Sequence, residues 1–385
     1  MSSGEQQYKF KWFSSAILIS LFAVILHYKI FREVPSPFIS QNKTTKDNMS
    51  NKILSSASSV IDMKKLPVYF FSHGGPTFMY PEDGFGGNPE AYHVVSKTGK
   101  FIKEVIKPKF IIAVSAHWQS SGPNLIEVAV PAGVSGVSKG LSDAFPSGPS
   151  KKNSPLLDPM ENDLIYDFYG FPDHMYKETF HSKCDADLAR DIVSEINNSD
   201  GTLKAKLSKR GIDHGAWVPF KVAFSSNKPA NETWDVDVPL VQVSMTSSDD
   251  FDTHYELGKI LSKYRENGGQ IIVSGMSVHN LRDFGRAASL GRPMPYVKQF
   301  NNLLTDIFSK PGGKLSYFKD ILKNSDTHEL LYSAHPTLDH FMPLIVGLGA
   351  GEGIKGDDQY TVKQIYTGET LSLGWGLYQF GNYEA

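Results

Sequence analysis

Leu66-Pro-Val-Tyr-Phe-Phe71 is a short apolar run that stops at Ser72-His-Gly-Gly-Pro76, the pattern of a buried strand running into a loop. The same grammar returns twice. Phe110-Ile-Ile-Ala-Val-Ser115 leads to Ala116-His117-Trp118, and Gln270-Ile-Ile-Val-Ser-Gly275 leads to Ser277-Val-His279-Asn280. Val238-Pro-Leu-Val-Gln-Val-Ser244 is a fourth such run. Between the runs, Asp187 to Ile196, Tyr255 to Arg265 and Tyr296 to Phe308 carry apolar residues at three-to-four spacing, which predicts helices. Continuous apolar strands alternating with amphipathic helices predict an α/β fold: one large domain with a central mixed or parallel sheet flanked by helices.

That fold decides where chemistry collects. Open α/β sheets bind ligands beyond the carboxyl ends of their strands. His73, His117 and His279 each fall one to four residues after an apolar run, so they are expected in one crevice. Two more histidines join them as candidates. His340 lies in His335-Pro-Thr-Leu-Asp-His-Phe-Met-Pro343; Pro336 suits the first turn of a helix, which would open the apolar stretch Phe341 to Leu348. His214 lies in Gly211-Ile-Asp-His-Gly-Ala-Trp217, a glycine-flanked loop where backbone can approach a ligand. A lone histidine after a strand is usually an ordinary core or surface residue. Three repeats of the placement, each flanked by small residues, favour a site. His93, His174, His181, His254 and His328 lack that context and read as structural, while His335 is expected to cap the helix or touch substrate.

Composition narrows the chemistry. The 385 residues, 40% hydrophobic and 12% aromatic, suffice for a sizeable core. A formal net charge of -2 offers no basic surface for nucleic acid. Cys184 is the single cysteine, which excludes a disulfide framework and every multi-cysteine zinc motif. A metal here must be held by imidazole and carboxylate, pointing to non-haem iron or zinc.

Six motifs in order then carry a resemblance: Phe71-Ser-His-Gly-Gly-Pro, Ser115-Ala-His-Trp, Asp167-Phe-Tyr-Gly-Phe-Pro, Gly211-Ile-Asp-His-Gly-Ala-Trp, Val278-His-Asn-Leu and Asp339-His-Phe-Met-Pro-Leu. They resemble the signatures of the class III extradiol ring-cleavage dioxygenases, in particular the 4,5-DOPA dioxygenase branch related to the LigB subunit. The likeness runs from about Leu66 to the C-terminus. It implies that His73, His117 and His340 bind the metal, that His279 is either a further ligand or an acid/base, and that His214 faces substrate as an acid/base. Many extradiol enzymes use two histidines and a carboxylate, whereas the third ligand here reads as His340 with Asp339 beside it. The substrate implied is a small aromatic diol, cleaved with dioxygen. Ferrous iron is favoured because zinc has no redox chemistry, although an all-histidine set also suits zinc. Trp118, Trp217, Phe171 and Phe78 are candidates for an aromatic wall around the ring, or for ordinary core. Arg282 is a candidate partner for a substrate carboxylate, or for an ion pair with Asp283. Two other classes stay open at this stage: a zinc hydrolase on the same residues, and a non-enzymatic binding protein or membrane-tethered scaffold of the same fold.

The N-terminus has its own composition. Trp12 to Tyr28 is a 17-residue run without Asp, Glu, Lys or Arg, flanked by Lys9, Lys11, Lys29 and Arg32. It is read as a single-pass membrane anchor over 12–31, after a short tail (1–11) and before a Ser/Asn/Lys/Thr-rich tether (32–64). A signal peptide is the rival, but Lys-Ile-Phe-Arg-Glu is a poor cleavage site. Orientation stays open: Lys43, Lys46 and Lys52 favour the cytoplasmic or matrix side for the catalytic part, and the glycosylation tripeptides at Asn42, Asn48, Asn197 and Asn231 the luminal one. The catalytic domain is expected over 65–385, with 132–159, rich in Gly, Ser and Pro, an exposed insertion.

Overall fold

The computed structural model describes residues 65–82, 87–137, 158–225, 233–353 and 361–381, all in one compact unit, Lys65–Glu384. The four apolar runs are strands: β1 (Val68–Ser72), β2 (Phe110–Gln119), β5 (Leu240–Met245) and β6 (Gly269–Gly275). They lie side by side in the order β5-β2-β6-β1, and every pair among them is parallel. Val68, Phe70, Ile112, Val114, Val241, Val243, Ile271 and Val273 expose almost nothing. Burial is continuous rather than alternating because both faces of the parallel centre are covered.

Antiparallel strands complete a nine-stranded mixed sheet. β3 (Leu125–Val130) joins β5, with β4 (Lys204–Lys209) outside it. On the other side β9 (Leu373–Phe380) pairs with β1 and also carries β7 (Val278–His279) and β8 (Val362–Thr370). The expected α/β class with a mixed sheet holds.

The helices start where the chain supplies a cap. α1 is Pro89–Phe101, and α2 (Ala186–Asn198) begins at Asp185, whose carboxylate accepts from the Asp187 and Leu188 amides. α3 is His214–Phe224. α4 (Phe251–Leu261) begins at Asp250, which accepts from the Thr253 amide; a short turn, α5 (Lys263–Glu266), follows. Then come α6 (Phe284–Leu290), α7 (Pro295–Ser309), α8 (Leu315–Lys323), α9 (Ser325–Ala334) and α10 (Met342–Glu352). α10 is buried along its length and packs backbone to backbone on α4: a Cβ on Gly349 would sit 2.1 Å from the Tyr255 carbonyl oxygen.

Two expectations are corrected. Pro336 does not open a helix. His335 is extended (φ -135°, ψ 86°) at the end of α9, and α10 begins only at Met342 with Pro343 in its first turn. A residue before proline is pushed out of the helical region, so Pro336 ends one helix and leaves His340 in the loop before the next. The membrane anchor is withdrawn, and with it the membrane partner and localisation. Among the described residues no helix is long and apolar enough to cross a membrane. The span 12–31 itself lies outside the described residues, as do the tether and 138–157 of the expected insertion.

Candidate active site

The parallel order β2-β6-β1 brings three strand ends together. His73 follows β1 directly, His117 lies within the last turns of β2, and Ser274-Gly275 closes β6 between them. His340 arrives from above: its carbonyl accepts the Met276 amide at 3.0 Å, which ties the loop to the end of β6. The three imidazoles converge through one nitrogen each. His117 Nε2 is 3.2 Å from His73 Nε2 and 3.1 Å from His340 Nε2.

Each opposite nitrogen has an oxygen. Ser274 Oγ is 3.0 Å from His73 Nδ1. The Ser274 hydroxyl spends its one proton on the Gly215 carbonyl, so it must accept from His73, and Nδ1 carries the ring proton. Asp167 Oδ2 lies 3.1 Å from His117 Nδ1, and Asp339 Oδ2 2.5 Å from His340 Nδ1. Carboxylates accept here, so all three Nε2 atoms keep their lone pairs and turn them on one another. Lone pairs facing at these distances repel unless a proton on His117 or a metal cation lies between them. The separations are those of nitrogens each about 2.1 Å from one shared ion, and imidazoles oriented through their far nitrogens are the usual form of such a site. The donor set therefore fits a divalent metal, with Asp339 supporting His340 rather than replacing it.

The charges agree. Burial, with the neighbouring imidazoles, holds the His73 pKa well below its ordinary value, so the ring is neutral. Burial also lowers His340, against the pull of Asp339. At His117 burial opposes the charged form, but Asp167, Asp213 and Asp339 outweigh it and the pKa rises. Asp167 and Asp339 stay ionised: burial works against them, yet the adjoining histidines hold both well below the usual carboxylate range.

Two further histidines flank the three. His214 opens α3; its backbone N–H donates to Asp167 Oδ1 at 2.9 Å and its Nδ1 lies 2.8 Å from the same oxygen. Its ring is 4.0 Å from that of His117. His279 lies flat on His340, with centroids 3.6 Å apart and planes 10° apart. Burial first, then His340, pushes its pKa well down. The nitrogens that can share a metal are those of His73, His117 and His340, with His117, Asp167 and His214 a second such group; His279 is in neither.

α3 reaches the site through Gly215. A Cβ there would lie 2.4 Å from Ser115 Oγ, 2.8 Å from His117 Cδ2 and 3.2 Å from His73 Cε1. Asp213, fully buried, accepts from Ser115 Oγ at 2.6 Å, Gln242 Nε2 at 2.6 Å and Arg210 Nη1 at 3.0 Å. That network fixes the start of α3 against the end of β2.

The expected aromatic wall is only partly there. Trp118 points to the face of β2 opposite His117 and lies under Arg210, 4.6 Å from its guanidinium carbon. Trp217 is fully buried and donates to the Ile165 carbonyl at 3.0 Å. Phe78 is buried between Trp375 and Tyr92. Phe171 is half-buried against Gly75 in the loop beside His73, and Phe168 meets His214 edge-on. His335 is fully buried between Phe300 and Phe341; its Nε2 donates to the Ser277 carbonyl at 2.9 Å. Arg282 is exposed on the turn after His279, and among the described residues no acid pairs with it; Asp283 accepts from Tyr296 instead.

Residues 67–370 match the family model for the catalytic LigB subunit of aromatic ring-opening dioxygenase. The chain belongs to this family of ring-opening dioxygenases. It is 29% identical over 314 residues to a 4,5-DOPA dioxygenase extradiol-like protein of Schizosaccharomyces pombe, covering 78% of this chain and 91% of the relative. It is 26% identical over 313 residues to the 4,5-DOPA dioxygenase extradiol of Beta vulgaris, covering 81% and 95%. A crystal structure of an uncharacterized Escherichia coli K12 protein aligns with a TM-score of 0.54 and 24% identity, over 82% of this chain and 100% of that one, a likeness of fold.

Proposed function

We propose that the protein opens the ring of a catechol bearing a carboxylate, DOPA-like in shape, by extradiol cleavage with dioxygen at a ferrous ion held by His73, His117 and His340. The observation that carries this reading is the convergence of three Nε2 lone pairs, each fixed by an oxygen on its own Nδ1. The names of the relatives support the DOPA-like substrate and the extradiol position. Bound iron supplies the one-electron chemistry with dioxygen that ring opening requires and that zinc lacks.

The chain's own residues supply binding and proton handling. A catechol hydroxyl must lose its proton on binding, and a neutral imidazole beside the ligands is suited to take it. His279, with its lowered pKa, and His214, held against Asp167, flank the three ligands on different sides. One accepts the proton and either can return it to the opening ring. Phe168 and Phe171 offer ring faces and edges to the catechol. Arg282, exposed without an acid partner among the described residues, is available to a carboxylate arriving with the substrate.

The test is oxygen uptake by anaerobically iron-loaded protein with a panel of catechols that do and do not carry a carboxylate. A yellow ring-opened product from the carboxylated members is expected. No product from any catechol would defeat the proposal, and equal rates across the panel would defeat its substrate half.

A further inference from the structure

Each Nδ1 of the three convergent histidines has its own oxygen, but Asp167 does more than one job. Ser274 serves His73 and Asp339 serves His340. Asp167 meets His117 Nδ1 through Oδ2 at 3.1 Å and, through Oδ1, both the backbone N–H of His214 at 2.9 Å and its Nδ1 at 2.8 Å. The side chain is 5% exposed, and the chain is tied down before it at 163–165 and after it at Phe168, whose carbonyl accepts from the Tyr176 hydroxyl at 3.3 Å. The Ile165 amide donates to Ile212, the Ile212 amide donates to Asp163, and Trp217 Nε1 donates to Ile165. Asp167 is therefore held in place independently of the histidines it touches.

We propose that Asp167 is a positioning residue shared by the metal ligand His117 and the proton-handling His214, setting the ring-nitrogen proton of one and the place of the other. This rests on the metal-site reading above. Every neighbour of the carboxylate presents an N–H or lies within an ion-pair distance, so both oxygens must accept. An amide cannot do that, because it has one accepting oxygen and an NH2. In Asp167→Asn the oxygen turned to His214 would leave the NH2 against His117 Nδ1–H. The imidazole then relieves the clash by moving its proton to Nε2, the nitrogen the metal needs. The opposite orientation sets the NH2 against the His214 amide and displaces the start of α3. Either orientation breaks one hydrogen-bonding arm, and both remove the negative charge that lies 2.8 Å from His214 Nδ1.

The experiment compares wild type with Asp167→Asn by competition for zinc against a chromophoric chelator, then by steady-state kinetics under saturating ferrous ion. Zinc affinity is expected to fall about 10–100-fold, as when other oxygen partners of metal-bound histidines are removed. With iron saturating, kcat should still be about 100-fold down, since the free imidazole has lost its support, while KM for the catechol stays near its wild-type value. Zinc bound as tightly as by wild type overturns the proposal, and so does full recovery of kcat at saturating iron. Nitrogen NMR of the histidine rings in zinc-loaded wild type asks the same question without a variant: a proton on His117 Nδ1 supports the assignment, and one on Nε2 overturns it. Wild type that binds neither zinc nor ferrous ion would defeat the metal-site reading itself, a result distinct from all of these.

Discussion

Gly215→Ala adds a single methyl group where α3 touches the metal-site histidines. The new carbon would lie 2.4 Å from Ser115 Oγ, 2.8 Å from His117 Cδ2 and 3.2 Å from His73 Cε1, against ordinary contacts of about 3.5–4.0 Å. Ser115 cannot yield easily, because Asp213 holds it at 2.6 Å in a fully buried network. The His117 ring must give way by roughly 0.7 Å or more, and a displacement of that order at a reacting centre costs about 100-fold in rate, or ~2.7 kcal/mol of barrier. Stability should change by less. Alanine is worth ~1 kcal/mol over glycine within a helix, and overpacking costs ~1–3 kcal/mol, so the net loss is at most ~2 kcal/mol. Oxygen-electrode kinetics, zinc competition and thermal melts on the same preparation separate the two effects. Gly285→Ala is the control: no neighbour lies within 4 Å of its added carbon, so activity holds and stability rises by ~0.5–1 kcal/mol. Wild-type kcat/KM and zinc affinity in Gly215→Ala would refute the claim that backbone contact with α3 sets the ligand spacing.

Ser274→Ala removes the oxygen that fixes His73; zinc affinity measured by chelator competition should fall ~10–100-fold, and an unchanged affinity would remove the serine from the account. Arg282→Ala should raise KM for a carboxylated catechol ~10-fold or more and leave KM for catechol itself alone, so parallel changes in both would count against it. Burial, opposed only partly by the Ser277 carbonyl, lowers the His335 pKa from 6.5 to about 4. A folded pKa below the unfolded one means that His335 adds stability above pH 6.5, lost as pH falls from 6.5 through 4. Replacing it in His335→Asn should flatten the fall of unfolding free energy across that window by ~2–3 kcal/mol; denaturant titrations with the wild-type slope would contradict this.

Much of the centre of the fold was legible because it is written in local pattern. The runs at 66–71, 110–115, 238–244 and 270–275 match β1, β2, β5 and β6 within a few residues, since a parallel core strand is apolar on both faces. The flanking strands left no such trace. β4 alternates lysine with small or apolar residues at a sheet edge, and β8 is half-exposed along its length. The strand-end rule placed His73 and His117 together, but it had no means of finding Asp167 or Ser274. Asp167 stands 50 residues from His117 and 47 from His214 in the chain, and only the tertiary fold brings it between them. The available signals were a lone acid in the aromatic segment 167–171 and a serine closing an apolar run. Sequence proximity misled for the tryptophans: strand alternation turns Trp118 away from the side of His117, and Trp217 goes to the core.

The central claim is that these histidines hold a ferrous ion for ring opening by dioxygen. Iron-loaded protein should be mixed with DOPA under isotopically heavy dioxygen, beside zinc-loaded protein and His117→Ala, and the ring-opened product weighed by mass spectrometry. The account predicts product from the iron-loaded wild type alone, carrying both heavy oxygen atoms before exchange with water. Product formed without dioxygen, product from the zinc-loaded protein, or undiminished product from His117→Ala would contradict it.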